Sequence, residues 1–275
     1  MADPLHILAF GAHPDDCDAR AGGLACLYAG LGHRVRFVSL TDGGAGHHET
    51  GGVELVRRRH AEAQAAARVA GIEYVVLDSH DGELEADLAN RRQVVEIMRT
   101  FRPDLVLTHR PVDYHPDHRA AGVLVQDASY LVTVPNYLAR VPHLLRQPVI
   151  AYTRDGFTRP TPLRADLVVD IDSVFALKTA MLHCHTSQMY EWLPYNAGRL
   201  AEVPEGDANR LAWLADTRGA GDIATADRYR DRLVALYGAE HASQVVHAEA
   251  FELCEYGAPL PRDEWARLLP FLPAR

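Results

Sequence analysis

The sequence predicts an α/β chain built on a doubly wound, mostly parallel sheet with helices on both faces. Three observations lead there. Strand-length apolar runs alternate with helix-length segments over residues 5–109, the helices stop at Gly or Pro, and a chain of 275 residues with 48% hydrophobic and 24% charged residues has ordinary globular composition. Residues 5–12, LHILAFGA, read as a buried strand, 22–32 as a helix closed by Gly32, and 34–41, RVRFVSLT, as a second strand, which makes a βαβ unit. A glycine-rich loop over 42–52 leads into a helix over 53–70 stopped by Gly71, then a strand over 73–78. A helix over 89–101 ends at Arg102 before Pro103, and 104–109, DLVLTH, is the fourth strand. Strands separated by helices of this length require right-handed crossovers and a Rossmann-like winding, in which ligands bind beyond the carboxyl ends of the strands. The later half is less regular and shows no repeat or linker. The expectation is therefore one domain over 1–275, with a motif-bearing core over about 5–190 and a helical and extended C-terminal region packed on it.

Charge narrows the function. A formal net charge of −9 and a sequence pI near 5.9 speak against a phosphate backbone as partner, since nucleic-acid binding is driven by Lys and Arg. The first residues lack a basic segment, their apolar stretch is too short for a secretory signal, and no run approaches a membrane span. Cys17, Cys26, Cys184 and Cys254 stand far apart without CxxC pairing, which reads as reduced thiols in a cytoplasmic protein.

The chemistry concentrates in FGAHPDDCD, residues 10–18, directly after the first strand. A dinucleotide-binding turn would need GxGxxG there, with bare backbone where this chain places carboxylates. Acids and a histidine at a strand end suggest a metal instead, His13 supplying nitrogen and Asp16 oxygen. A third ligand belongs at another strand end, and the fourth strand runs into RPVDYHPDHRAAG, which offers His115 and His118. Taken alone, a strand-end histidine is more often a hydrogen-bonded loop residue, and Asp after Pro a helix N-cap. Two such clusters at separate parallel strand ends outweigh that reading. Two histidines and a carboxylate with open positions also describe non-haem iron oxygenases, but the α/β order argues against that scaffold.

These residues also resemble a family. AHPDD after the first strand, HPDH after the fourth, Arg59 and Glu62 in RRRHAEAQAAARVAGI, HDG at 80–82 and KTAMLHCHTSQ at 178–188 are together similar to the LmbE-like, PIG-L type N-acetylglucosaminyl deacetylases, over about residues 7–188, with HAEAFEL at 247–253 a weaker match. The resemblance implies zinc-dependent removal of the N-acetyl group from a small-molecule N-acetylglucosamine conjugate, by a homo-oligomer (trimer or hexamer). It implies Zn2+ on His13, Asp16 and His118, Asp15 as general base, and His115 as transition-state stabiliser or acid. Amide hydrolysis needs such a division of labour: a metal-activated water, a base for its proton, an oxyanion partner and a proton for the amine, from Asp15 or His115.

Around this set, Asp117 is expected to accept a hydrogen bond from a site histidine, or else to cap the helix that follows. Arg59 and Asp81 are expected sugar contacts. His185, Ser187 and Gln188 read as buried polar support, His47 and His48 as solvent-exposed loop residues, and Tyr190, Trp192 and Tyr195 as packing aromatics more than sugar platforms. Two departures from the family stand out. Cys17 replaces a usual glutamate and is expected as a fourth ligand or an oxidation point, and Asp113 stands where some relatives present tyrosine. The competing readings are a zinc amidase acting on a larger thiol or glycoconjugate, and a metal-binding protein without turnover.

Overall fold

A computed structural model describes residues 3–273. Its strands are β1 (His6–Gly11), β2 (Arg34–Thr41), β3 (Glu73–Ser79), β4 (Leu105–Thr108), β5 (Val149–Thr153), β6 (Leu167–Asp170) and β7 (Ala248–Leu253). They form one sheet in the order β3-β2-β1-β4-β5-β7-β6. The first five strands are parallel, and β7 runs antiparallel between β5 and β6. The doubly wound, mostly parallel sheet expected from the alternation is therefore present, with one reversed strand that the irregular later half did not announce.

The main helices are α1 (Asp16–Gly30), α2 (Gly52–Ala70), α3 (Leu88–Phe101), α4 (Pro116–Leu131) and α5 (Phe175–Cys184), followed by a short α6 (Leu193–Asn196) and a long α7 (Asp207–Arg228). Strand periodicity divides the core in two. Ile7, Ala9, Val35 and Phe37 face α1, α2 and α5, where Leu24, Ala63, Ala66, Ala67 and Met181 are buried. Leu8, Phe10, Val38 and Val106 face α3 and α4 through Val94, Met98, Leu124 and Val125. The alanines at 63, 66, 67 and 70 follow helical spacing, so α2 lies close to the sheet, and Gly71 ends it at φ 68°. Asp87 caps α3 by accepting the Asn90 amide at 2.8 Å, and Arg102 closes it in a left-handed conformation before Pro103.

The first helix begins at Asp16, six residues before its expected start. Gly22 and Gly23 looked like a helix boundary, yet they lie inside α1 for a packing reason. A Cβ on Gly23 would fall 2.7 Å from Ile171 Cγ2, and the buried Glu249 carboxylate accepts the Gly23 and Leu24 amides at 2.8 Å each. The early start puts Asp15 at the N-cap of α1 and Asp16 on its first turn.

From β1 the chain moves to β2 on one side, while β4 lies on the other, so the winding reverses between β1 and β4. The loops after these two strands face one another there, which is where doubly wound sheets bind ligands. After α5 the helical path widens into a π-helical segment, Ser187–Trp192, a distortion frequent at functional sites. Among the described residues no helix is long and apolar enough to cross a membrane.

Gly122 brings α4 against the end of β4: a Cβ there would lie 2.6 Å from the His109 carbonyl oxygen. Gly122→Ala is expected to destabilise the protein by about 1–3 kcal/mol, the usual cost of overpacking. Urea unfolding measures this, and an unchanged midpoint would show that α4 does not rest on that carbonyl.

Candidate metal centre

The first turn of α1 and the loop before it are folded around one carboxylate. Asp16 Oδ2 accepts the backbone amides of Ala12 at 3.0 Å and His13 at 2.8 Å. The same carboxylate meets three imidazoles: His13 Nδ1 at 3.4 Å, His118 Nε2 at 3.4 Å and His109 Nε2 at 3.3 Å. Burial alone would raise the Asp16 pKa, but the charges of His118 and His109 hold it well below the ordinary carboxylate range.

His13 presents its other nitrogen, Nε2, to Asp81 Oδ1 at 3.0 Å and Asp117 Oδ2 at 3.2 Å. Two acceptors at Nε2 hold a proton there, and Nδ1, facing Asp16, is the nitrogen that a metal would take by displacing its proton. Burial acts to lower the His13 pKa, and its bonds to Asp117, Asp16 and Asp81 outweigh it and raise the pKa. Asp117 is fully buried and anchored in turn by the amides of Gly82 at 2.7 Å and Leu84 at 3.2 Å. It does not cap α4. The cap is His115, whose Nδ1 accepts the Asp117 amide at 3.2 Å.

His118 Nδ1 lies 3.1 Å from Asp113 Oδ2, which turns Nε2 toward Asp16. Asp113 thus gains a place beside a site histidine, the common arrangement behind metal-ligating imidazoles. The expected ligands His13, Asp16 and His118 come together at the switch point. Candidate ligand atoms within 4.8 Å of one another fall into overlapping sets, His13 with His115 and His118, Asp16 with His109 and His118, and His13 with Asp81 and Asp117. No one set holds all three expected ligands; Asp16 reaches His13 Nδ1 from Oδ2 and His118 Nε2 from Oδ1, each at 3.4 Å, long for a hydrogen bond and near the ~3.3 Å between two ligand atoms on one tetrahedral metal. The donor set and its spacing therefore fit a divalent metal.

His109 was missed in the sequence, where it was only the last residue of a strand. It is buried at 3% exposure, accepts the Ala12 amide at 3.2 Å, and stacks on His118 at 4.2 Å between ring centroids. Burial brings its pKa down to about 4, with the Asp16 carboxylate 3.3 Å away pulling in the other direction. The one available signal was its place at the carboxyl end of β4.

Asp15 points elsewhere. Its Oδ1 accepts Arg59 Nη2 at 2.9 Å, and Arg59, 2% exposed, also donates to the Pro14 carbonyl at 3.1 Å. Burial raises the Asp15 pKa and the Arg59 charge opposes it. Asp81 Oδ2 takes the Ala45 and Gly46 amides at 3.2 and 3.1 Å. Burial would lift its pKa, but the His13 bond and the charges of His13 and Arg59 bring it to about 2. Both Arg59 and Asp81 line a cleft of about 480 Å³ with His13, Asp15, His115 and His118, and both are already engaged by site residues.

Three expectations are corrected around this cleft. His47 is not a free loop residue, because its Nε2 is 2.8 Å from Glu191, which also accepts Arg58. His48 stacks on Tyr195 at 4.0 Å, so both imidazoles are held against the π-helical segment and α6. Cys17 is neither ligand nor exposed thiol: it is buried in the apolar core, and burial, with Asp18 and Asp16 beside it, pushes its pKa well up. Ser187 bonds Glu62 through both its amide (2.9 Å) and its hydroxyl (2.6 Å), Gln188 donates to the Gly46 carbonyl at 2.9 Å, and His185 is wholly buried beside Asp18. These are the supporting contacts foreseen for that stretch.

The family model for GlcNAc-PI de-N-acetylase, PIG-L, matches residues 8–129. The chain is 31% identical over 210 residues to diacetylchitobiose deacetylase of Thermococcus kodakarensis, covering 70% of this chain and 75% of that one. It is 29% identical over 196 residues to 4-oxalmesaconate hydratase of Pseudomonas putida, covering 68% and 76%. In structure it resembles N,N'-diacetylchitobiose deacetylase of Pyrococcus horikoshii, with a TM-score of 0.70 at 24% identity over 92% of this chain and 85% of that one.

Asp117→Asn tests the support of His13. An amide has one acceptor oxygen for the Gly82 and Leu84 amides and sets an NH2 against a ring N–H or the amides. Metal affinity is expected to fall about 10- to 100-fold, the usual cost of losing such a partner. Competition with a chelator measures it, and unchanged affinity would remove Asp117 from the site.

Proposed function

Because the chain belongs to the PIG-L family of GlcNAc-PI de-N-acetylases, we propose that it is a zinc-dependent hydrolase that removes the acetyl group from an N-acetylglucosamine-containing conjugate. The observation that carries this reading is the division between Asp15 and Asp16. They are neighbours in sequence, yet Asp16 is turned toward three imidazoles while Asp15 is held by Arg59 at the cleft wall.

In this reading His13 Nδ1, a carboxylate oxygen of Asp16 and His118 Nε2 hold the zinc. When bound, zinc supplies a Lewis acid for the acetyl carbonyl and brings the pKa of water toward about 7. Asp15 accepts the proton of the attacking water at the oxygen that Arg59 does not engage. His115 is a neutral donor: its Nδ1 is occupied by the Asp117 amide, so Nε2–H is available to the developing oxyanion. A neutral imidazole bonded in this way has no second proton to give. The departing amine therefore takes its proton from Asp15, which has just received one. Arg59 and Asp81 form the sugar-side wall, with their orientation set by the bonds to Asp15 and His13.

The hydratase relative gives the competing chemistry, hydration of 4-oxalmesaconate. Purified protein is expected to carry about one zinc per chain and to release acetate and free amine from N-acetylglucosamine conjugates. Turnover of 4-oxalmesaconate without amine release would overturn the proposal.

Asp15→Asn is expected to keep zinc and lower kcat by about 10²- to 10⁴-fold, the worth of a positioned base. His118→Ala should empty the metal site, whereas His115→Ala should keep metal and slow turnover. A near-normal rate in Asp15→Asn, or equal metal loss in both histidine variants, would refute these assignments. Metal analysis and steady-state acetate release decide both.

A further inference from the structure

The catalytic cleft does not end at the sugar-side wall. Beyond Met189, Leu193, Thr217 and Arg218 it opens into a second cavity of about 320 Å³, and these four residues line both spaces. The second cavity is walled by apolar surface from the π-helical segment, α6 and α7, with Pro194 and Trp213 added to the shared Met189 and Leu193. Its volume suits a ring-sized group, and its lining is that of a binding pocket with few polar contacts.

The polar groups around it are unevenly satisfied. Arg199 is spent on Glu202, with bonds of 2.9 and 2.6 Å. Toward the catalytic cleft, Lys178 is bound by Asp222 at 2.7 Å and Glu249 at 2.9 Å. Arg154 lies 3.9 Å from the same Asp222, so that carboxylate is already shared. Arg218, on the wall common to the two cavities, makes no ion pair or hydrogen bond among the described residues. The Asp15 charge reaches Arg218 across the cleft, but no carboxylate is seated in its planar fork, which matches a carboxylate or a phosphate.

We propose that the second cavity is the aglycone subsite of the deacetylase, taking an apolar, ring-sized aglycone that bears one anionic group bound by Arg218. The proposal rests on the deacetylase reading for the position of the sugar and adds what lies at its other end. With the acetamide at the metal centre, the aglycone passes between Leu193 and Thr217. Its apolar body is buried beside Trp213, and its carboxylate or phosphate remains at the rim.

Three aryl glycosides of N-acetylglucosamine test this: p-carboxyphenyl, its neutral methyl ester, and p-phosphophenyl. The wild-type protein is expected to prefer the acids over the ester by tenfold or more in kcat/KM, mainly through KM. In Arg218→Gln that acid-to-ester ratio should fall about tenfold, whereas Arg218→Lys should restore part of it. The relative preference for carboxylate or phosphate identifies which anion the site takes. A ratio near one in the wild type, or one unchanged by Arg218→Gln, overturns the proposal. The same glycosides with a free amine in place of the acetamide cannot be hydrolysed, and calorimetric titration with them reads the subsite without turnover. Acid-selective binding that depends on Arg218 but comes without amine release from any acetylated probe would uphold the subsite and refute the deacetylase reading. Equal binding of acid and ester would refute the subsite alone.

Discussion

The site depends on burying a carboxylate at the point where the sheet's winding reverses. An ionised Asp16 taken out of water would cost several kcal/mol if left unpaired. The Ala12 and His13 amides, and the imidazole of His118, offset that cost from two different strand ends. The constraint works in both directions. The β1 loop must curl back on the first turn of α1 to deliver those amides, and the β4 loop must come close enough to supply the rings. Asp117 extends the same logic to a third loop, since the amides that hold it belong to Gly82 and Leu84, after β3.

A second layer of ion pairs keeps these loops in place. Glu62 on α2 bonds Thr186 and Ser187, and Arg58 on the same helix bonds Glu191, which also holds His47. The glycine-rich loop over the cleft is thereby tied to the π-helical segment more than a hundred residues away in sequence. That segment and α7 then supply the far wall of the cleft, so the C-terminal part of the chain contributes to the shape of the pocket while the N-terminal part contributes its reactive groups.

Much of this was legible in the chain. Alternating apolar runs announce the parallel strands, because a strand buried on both faces must be apolar throughout, and Gly71 and Pro103 stop their helices for reasons of backbone conformation alone. His13, Asp15, Asp16, His115 and His118 stood out because acids and histidines at strand ends have few structural uses. The antiparallel β7 was not legible, since its insertion between β5 and β6 depends on where a long helical excursion returns the chain. Nor was the true start of α1. Glycine pairs usually signal helix ends, and here they are consumed by contact with Ile171 and Glu249.

The sequence by itself determined which groups are present and which loops carry them: a parallel α/β scaffold, two acidic and histidine-bearing strand ends, and an arginine on the helix between. Only the tertiary structure decided their roles relative to one another. It turned Asp15 toward Arg59 and Asp16 toward the imidazoles, gave His115 to the helix cap and Asp117 to His13, and brought in His109. It also sank Cys17 into the core and drew His47 and His48 out of solvent. The physical reason is that orientation and burial are set by partners distant in sequence. A side chain's type is local, but the direction it faces, and the charge it keeps, depend on what the fold packs against it.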